Sequence, residues 1–383
     1  MKQIHQWIIV ISLLLLSACS TTYVDTSTQP AKRWTEQKAN QWYSNIKWPV
    51  GANFVPSTAV NQLEMWQEDT FDPMTIDKEL AWAASIGMNT MRVFLHNLAW
   101  QQDPSGFLDR VDQYLAIAEK HNIATMFVFF DSVWDPEPSV GVQRPARPHV
   151  HNSGWLQSPG KSILLNENKQ MALAPYVKSV LTRYKNDKRV LLWDLYNEPD
   201  NDNRNTYGGA SLTPDIADNK SRYALSLMKK AMAWAREVDP SQPITIGVWG
   251  NPNWINNPTA LERYSLQESD VISFHSYGKK PFTERIIRHL QSYNRPLFCT
   301  EYMARPTGST FEAILPLFKQ HKIAAYNWGL VAGKTQTQYP WNSWQRQYKT
   351  EPKVWFHDIF RANGTPYRQQ EVDLIKALTQ QIP

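Results

Sequence analysis

Cysteine is nearly missing from this 383-residue chain, which holds only Cys19 and Cys299. Two cysteines so placed make no disulfide framework, so the fold must rest on its apolar core. Cys299 lies inside an apolar run two residues before Glu301. No sequence neighbour would ionise it, so it reads as a buried, inert thiol rather than a nucleophile. Runs of Lys or Arg are absent as well. The net charge of +5 comes from 40 basic and 35 acidic residues spread along the chain, which is no nucleic-acid footprint. No Gly-rich turn follows the first predicted strand, and this counts against a doubly wound nucleotide-binding sheet. No Pro- or Gly-rich linker interrupts the chain beyond residue 48, so one domain is expected. Long apolar runs are also lacking: residues 7–16 fall short of the roughly 20 that a spanning helix needs.

That short run is informative for its flanks. Lys2 precedes it, and Leu16-Ser17-Ala18-Cys19 closes it with small residues ahead of a cysteine, as in a cleaved export leader. The box resembles the lipobox of bacterial lipoproteins, which implies removal of residues 1–18 and lipidation of Cys19. An ordinary leader with an incidental cysteine is the plainer alternative. Several acyl chains anchor far better than one, each buried methylene adding ~0.8 kcal/mol. Residues 19–33 then read as the lipidated cysteine and a polar, flexible tether, and 34–383 as a single folded domain. Ser20 rather than Asp after the cysteine resembles an outer-membrane address if the host is Gram-negative. The expected location is outside the cytoplasm, on the cell envelope, held to a membrane by lipid and not spanning it.

Aromatic residues are the surplus, with 17 Trp and 16 Tyr. Many tryptophans fall in predicted loops: Trp66, Trp100, Trp134, Trp155, Trp254, Trp341 and Trp344. Flat apolar rings stack on the C–H faces of sugars, although Trp also fills cores and interfaces. Short apolar runs at 48–55, 88–95, 123–130, 190–196, 243–249, 270–275, 296–301 and 323–329 read as strands. Amphipathic stretches at 75–86, 107–121, 170–186, 219–238, 281–293 and 309–321 read as helices, with 369–380 as a closing helix. Eight strands alternating with helices predict parallel pairing and an α/β fold, a (β/α)8 barrel with long βα loops.

In such a barrel the C-terminal strand ends build the site. The fourth strand runs Trp193-Asp194-Leu195-Tyr196-Asn197-Glu198-Pro199, and the seventh Pro296-Leu297-Phe298-Cys299-Thr300-Glu301-Tyr302. Both stop at a glutamate. Three βα units of about 30 residues each, plus loops, account for their separation and bring both carboxyls to one rim. Strand alternation puts Arg92, Phe94 and His96 on one face of the second strand. The first strand carries Asn53, the third ends at Asp131, the sixth presents His275 and Tyr277, and the eighth ends at Trp328.

Arg92, Asn197-Glu198, His275-x-Tyr277, Glu301 and Trp328 occur in the order and strand positions of clan A glycoside hydrolases, and the chain resembles family 5, the cellulase and mannanase family, over roughly residues 48–362. The resemblance implies that Glu198 is the general acid/base and Glu301 the nucleophile of retaining hydrolysis. It implies that Asn197 holds the sugar 2-hydroxyl, that Tyr277 and Arg92 keep Glu301 ionised, that His275 borders the acid/base, and that Trp328 lies under the sugar. One departure stands out: many family members place a His where this chain has Phe130-Asp131, so His96 could fill that space or Asp131 could bind a hydroxyl. Each residue also has a structural alternative, Arg92 in a core ion pair, His275 as a satisfied buried histidine, Trp328 as barrel filler.

The loops after strands one and three are long and aromatic. The first holds Asn61, Glu64, Met65 and Trp66, and the third Trp134, Asp135, Arg144, Arg147, His149, His151 and Trp155; Trp66, Trp134 or Trp155 are candidate sugar platforms. No metal is expected, since His149-x-His151 lacks a third ligand at a telling spacing, and Asp200-Asn201-Asp202-Asn203 departs from a calcium loop and reads as solvated loop. The reading is an O-glycosyl hydrolase acting on β-linked glucan, mannan or xylan in the manner of an endo-β-1,4-glycanase, with no cofactor. An open groove would make it endo-acting and a blocked pocket exo-acting. A transglycosylase using the same site and a catalytically inactive glycan-binding lipoprotein are the rivals. Partners are then a β-glycan or oligosaccharide and the membrane, not nucleic acid, and a monomer is the default, the sequence being silent on assembly.

Overall fold

In the computed structural model, which describes residues 31–206, 214–250 and 252–380, eight parallel strands alternate with helices. The leader, Cys19 and most of the tether lie outside the described residues. The strands are β1 (Val50–Phe54), β2 (Thr90–Phe94), β3 (Ala124–Asp131), β4 (Val190–Asn197), β5 (Ile244–Thr245), β6 (Ile272–Ser276), β7 (Leu297–Tyr302) and β8 (Ala324–Trp328). They hydrogen-bond in the order β5-β4-β3-β2-β1-β8-β7-β6. Val248 joins the two ends of that sheet: its N–H donates to Ser273 O, and its carbonyl accepts from His275 N, each at 3.0 Å. The ring is the predicted (β/α)8 barrel.

Seven strands match their predicted extents to within two residues, because strands covered on both faces read as near-continuous apolar runs. The fifth is shorter than its apolar run. Side chains there take the place of a backbone ladder: Ile244 N donates to Asp270 Oδ2 and Ile246 N to Ser269 Oγ, both at 2.9 Å. The helices follow their stripes. Pro73–Ser85 starts with Asp72 accepting from Thr75 N and Pro73 in its first turn, and buries Ile76, Leu80 and Ala83 against the sheet. Pro104–Lys120 repeats that start with Asp103 and buries Phe107, Val111, Leu115 and Ala118. Three helices of six or more residues escaped the periodicity search, Glu36–Ser44, Asn97–Gln102 and Ala260–Glu268, as did shorter turns such as Gln62–Trp66 and Lys161–Leu164.

The barrel has an apolar lower half. Met126, Leu192, Phe298, Ala324 and Tyr326 fill it, and Trp42 and Tyr43 of the helix Glu36–Ser44 pack beneath them. Trp42 stacks on Phe298 at 6.2 Å and Tyr43 meets it edge-on at 5.5 Å. That helix plugs the N-terminal mouth, leaving the C-terminal mouth for chemistry. Among the described residues no helix is long and apolar enough to cross a membrane.

Candidate active site

Above the apolar plug, the barrel interior turns polar around one cation. Arg92 is 1% exposed, and a buried guanidinium is stable only when ringed by acceptors. The ring comes from three other strands. Its Nε and Nη2 donate to Asp194 Oδ2 at 3.1 and 2.8 Å, and Nη2 also to Asn197 Oδ1 at 2.7 Å. Nη1 donates to Asn53 Oδ1 at 2.8 Å and to Glu301 Oε1 at 3.2 Å. Arg92 is thus in a core ion pair with Asp194 and holds the site glutamate as well.

Glu301 ends on β7 with its second oxygen accepting from the Tyr277 hydroxyl at 2.8 Å. Glu198 follows the last residue of β4 in the left-handed region, with φ 42°. Such a backbone costs a non-glycine residue of order 1 kcal/mol or more. Asn201 Nδ2 donates to Glu198 Oε2 at 2.9 Å, and His275 Nδ1 lies 3.1 Å from Glu198 Oε1 and 3.5 Å from Glu301 Oε2. Acceptor atoms of the two carboxyls and His275 lie within 4.8 Å of one another. A divalent cation could be reached by those three atoms, but the Arg92 charge already bound to Glu301 opposes one.

Burial pushes Glu198 up to about 7, against the Asn201 hydrogen bond and the Arg92 charge. Burial also raises Glu301 to about 7, with Glu198 pushing the same way and His275, Arg92 and Tyr277 pulling it down. Burial lowers His275 to about 4, so its imidazole is neutral, and raises Tyr277 well above its ordinary value, so it stays a donor. Two carboxyls this close share one proton near neutrality. Glu301 accepts from a cation and a phenol, whereas Glu198 accepts from an amide; the proton therefore rests on Glu198.

The pair opens into a cavity of about 380 Å³ whose walls include Trp134, Trp249, Trp328 and Trp341. Asn197, Glu198, His275, Tyr277, Glu301, Trp328 and Trp134 all reach it, as the strand ends predicted. Six candidates do not, Arg92 beneath the pair being the first. Trp66 is no sugar platform: it is fully buried against Phe71, Phe107 and Tyr114, with Nε1 donating to Phe94 O at 2.8 Å. His96 is sealed in as well, its Nδ1 capping the helix Asn97–Gln102 through Leu98 N at 3.1 Å. Asp131 accepts from Asn197 Nδ2 at 3.0 Å and Trp155 Nε1 at 2.6 Å, so it supports the site from behind. Asn53 spaces Arg92 from the carbonyl of Thr300, to which it donates at 2.8 Å. Trp155 lies behind Trp328, edge-on at 5.7 Å. Cys299 is buried, as read.

Sequence reasoning missed other residues. The loop read as solvated buries its two asparagines: Asn201 holds Glu198, Asp200 accepts from Trp249 Nε1 at 2.7 Å, and Asn203 Nδ2 donates to Ser132 O at 2.9 Å. Beneath it Lys220 is fully buried, donating to Gln157 Oε1 at 3.0 Å, to Asn201 O and to Asn203 Oδ1. Burial lowers Lys220 to about 7. A Lys within a helix pattern carries no one-dimensional sign of this, nor do Asn152 and His357, which also line the cavity.

A closed parallel barrel with paired carboxyls at its C-terminal mouth is the layout of a glycoside hydrolase. The family model for cellulase (glycosyl hydrolase family 5) matches residues 51–355, and the chain belongs to that family. It is similar to a "Probable mannan endo-1,4-beta-mannosidase A-1" of Aspergillus terreus, 30% identical over 125 residues, which are 33% of this chain and 29% of the relative. A second protein of that fungus, "Probable mannan endo-1,4-beta-mannosidase A-2", is 28% identical over 182 residues, 45% of this chain and 40% of its own. The chain thus spans less than half the length of these curated relatives. Among solved structures, the fold is similar to an exo-beta-1,4-mannosidase from Opitutaceae bacterium strain TAV5, with TM-score 0.56 and 19% identity over 87% of this chain and 59% of that one. It is also similar to the endo-beta-1,4-mannanase from Thermotoga petrophila, with TM-score 0.55 and 12% identity over 88% and 77% of the two chains.

Proposed function

We propose that this protein hydrolyses β-1,4-linked glycans of the mannan type with retention of configuration, Glu301 acting as nucleophile and Glu198 as acid/base. The carrying observation is the closeness of the two carboxyls, whose facing oxygens lie within 4.8 Å. Retaining enzymes keep their carboxyl groups about 5–5.5 Å apart, and inverting ones leave about 6.5–9.5 Å for a water. Glu301 attacks the anomeric carbon while Glu198 gives its proton to the departing glycosidic oxygen. A glycosyl ester forms on Glu301. Water then attacks the same carbon, passing a proton to Glu198 and releasing the Glu301 carboxylate. Asn197 Nδ2 spends one hydrogen on Asp131, leaving the other for the sugar 2-hydroxyl. The mannan preference is supported by the names of the relatives and neighbours above, which are those of mannosidases and mannanases.

The test is hydrolysis of mannan, β-glucan and xylan by the full chain, with products read by mass and by the anomeric configuration first formed. Retained configuration on mannan supports the reading; inverted product, or inertness to all three, overturns it. Products longer than the substrate would mark transfer to a sugar acceptor at the same site. For the cell, the proposal is export and an envelope anchor through lipid on Cys19. Labelled palmitate should enter the protein and be lost in Cys19→Ser, and an unlabelled, freely soluble wild type would refute it.

A further inference from the structure

The two ends of the cleft differ, and chemistry orients them. The sugar under attack lies over Glu301 and Trp328, and its departing oxygen faces Glu198. The leaving-group side is therefore that of Asn201 and Trp249, and the opposite side receives whatever precedes the attacked sugar. That opposite side is walled. Three loops are laced together there. Asn152 N donates to Thr335 O at 2.7 Å, His149 N to Gln336 Oε1 at 2.6 Å and His151 N to Ser343 Oγ at 2.9 Å. These bonds tie the loop after β3 to the loop after β8. Lys334 N donates to Ser57 O at 3.0 Å, which ties in the loop after β1. A Cβ on Gly333 would meet Ser57 Cα at 2.5 Å, so the loops are in direct contact. The turn Trp341–Trp344 completes the wall: Trp341 meets Tyr277 edge-on at 5.0 Å, and Trp344 packs on Trp134 at 6.2 Å.

The wall carries unpartnered polar atoms. Asn152 Oδ1, His357 Nε2 and Trp134 Nε1 have no hydrogen-bond partner, and all three residues line the cavity. Asn152 is 1% exposed and His357 fully buried. His357 is held firmly, since Arg305 donates to the carbonyls of Trp355, His357 and Asp358 while paired with Glu371 at 2.6 Å. The His357 Nδ1 lies 2.6 Å from Met303 O, a carbonyl, so Nδ1 carries the proton and Nε2 is an acceptor. Buried acceptors without a partner, in residues beside a cavity, call for donors from a ligand. Sugar hydroxyls are such donors, and a chain end has one more of them than an internal residue, at the position where an internal residue is linked.

Resting on the glycosidase reading above, we propose that this closed end is a terminal-sugar pocket in which Asn152 and His357 read the hydroxyls of a chain's non-reducing residue, so that the enzyme works from chain ends. The relatives' names describe endo action in fungal proteins that this chain matches over less than half their length. Here the loops after β1, β3 and β8 are bonded to one another on the side where further sugars would have to lie.

The experiment uses β-1,4-linked hexasaccharides of mannose, glucose and xylose, each tagged at the reducing end. Half of each set has its non-reducing terminal 4-hydroxyl capped as a bulky ether. For whichever series is cleaved, the earliest tagged products from free chains should be short by a constant small number of sugars. Capped chains should be cleaved at least about 100-fold more slowly, and Asn152→Ala should lower kcat/KM on free chains at least about tenfold. Tagged fragments of mixed length in the first turnovers, or equal cleavage of capped and free chains, would overturn the proposal alone. These readouts need only the wild type, so a misfolded variant does not shield it. Inertness of every oligosaccharide overturns the glycosidase reading and takes this one with it.

Discussion

The lower and upper halves of this barrel are built from the same eight strands and could hardly be less alike. Below, Met126, Leu192, Phe298 and Tyr326 interdigitate with the rings of Trp42 and Tyr43. Above, Arg92 is shared among Asn53, Asp194, Asn197 and Glu301, and two carboxyls stand within hydrogen-bonding reach of one imidazole. The lower half gains free energy by burying carbon. The upper half loses some by burying charge, and is held in shape by what lies under it. Stability and chemistry therefore separate along the barrel axis, and substitutions should separate the same way.

The largest effect is expected at Glu301. Glu301→Ala should lower kcat by about 10⁴-fold or more, since the proposed mechanism has no other group to supply the nucleophile, while circular dichroism stays that of the wild type. Glu198→Ala should cost about 10²–10⁴-fold on natural glycans. The loss should be smaller on aryl glycosides, whose leaving groups need no proton; equal losses on both would deny Glu198 its acid role. The opposite half should behave in reverse. Phe298→Ala should cost about 3–5 kcal/mol of unfolding free energy, measured in denaturant, with kcat per folded molecule unchanged. A comparable loss of kcat in the folded variant would break the separation of the halves.

The smallest effect is in pH dependence. Burial raises Glu198 from 4.5 to about 7, so the folded state holds that proton more tightly than the unfolded chain. Its contribution to stability is then full below about 4.5 and is lost as pH rises to about 7. Glu198→Gln removes that titration. Its melting temperature should gain a few degrees on the wild type between those pH values and hold the gain above them; a constant difference at all pH values would refute the shift.

Most of the upper half could be read from the chain, because strand ends announce themselves. An apolar run that stops at Asn197-Glu198 or at Glu301 has a position, a face and a partner fixed by barrel geometry. The errors have one source. Trp66 and His96 resemble site residues in composition and place, but each side chain turns from the cleft, Trp66 into the core against Phe107 and Tyr114 and His96 onto a helix N-terminus. Asn152, His357 and Lys220 went unseen for the converse reason: each owes its position to contacts between loops or to the packing of a distant helix. The helix Glu36–Ser44 was missed because its outer face is polar and Ala39 is its one fully buried residue.

That plugging helix also sets a direction. It enters from the N-terminal mouth of the barrel, with Tyr43 bonded to Lys322 O and Asn40 to Asn294 O, both ahead of the strands they precede. The catalytic mouth is at the other end of the axis. Residues 20–30 reach at most about 40 Å when fully extended. If Cys19 carries lipid, as proposed above, the chain would leave the barrel at its base, and the cleft would open at the opposite end of the axis, toward polymer arriving from solution.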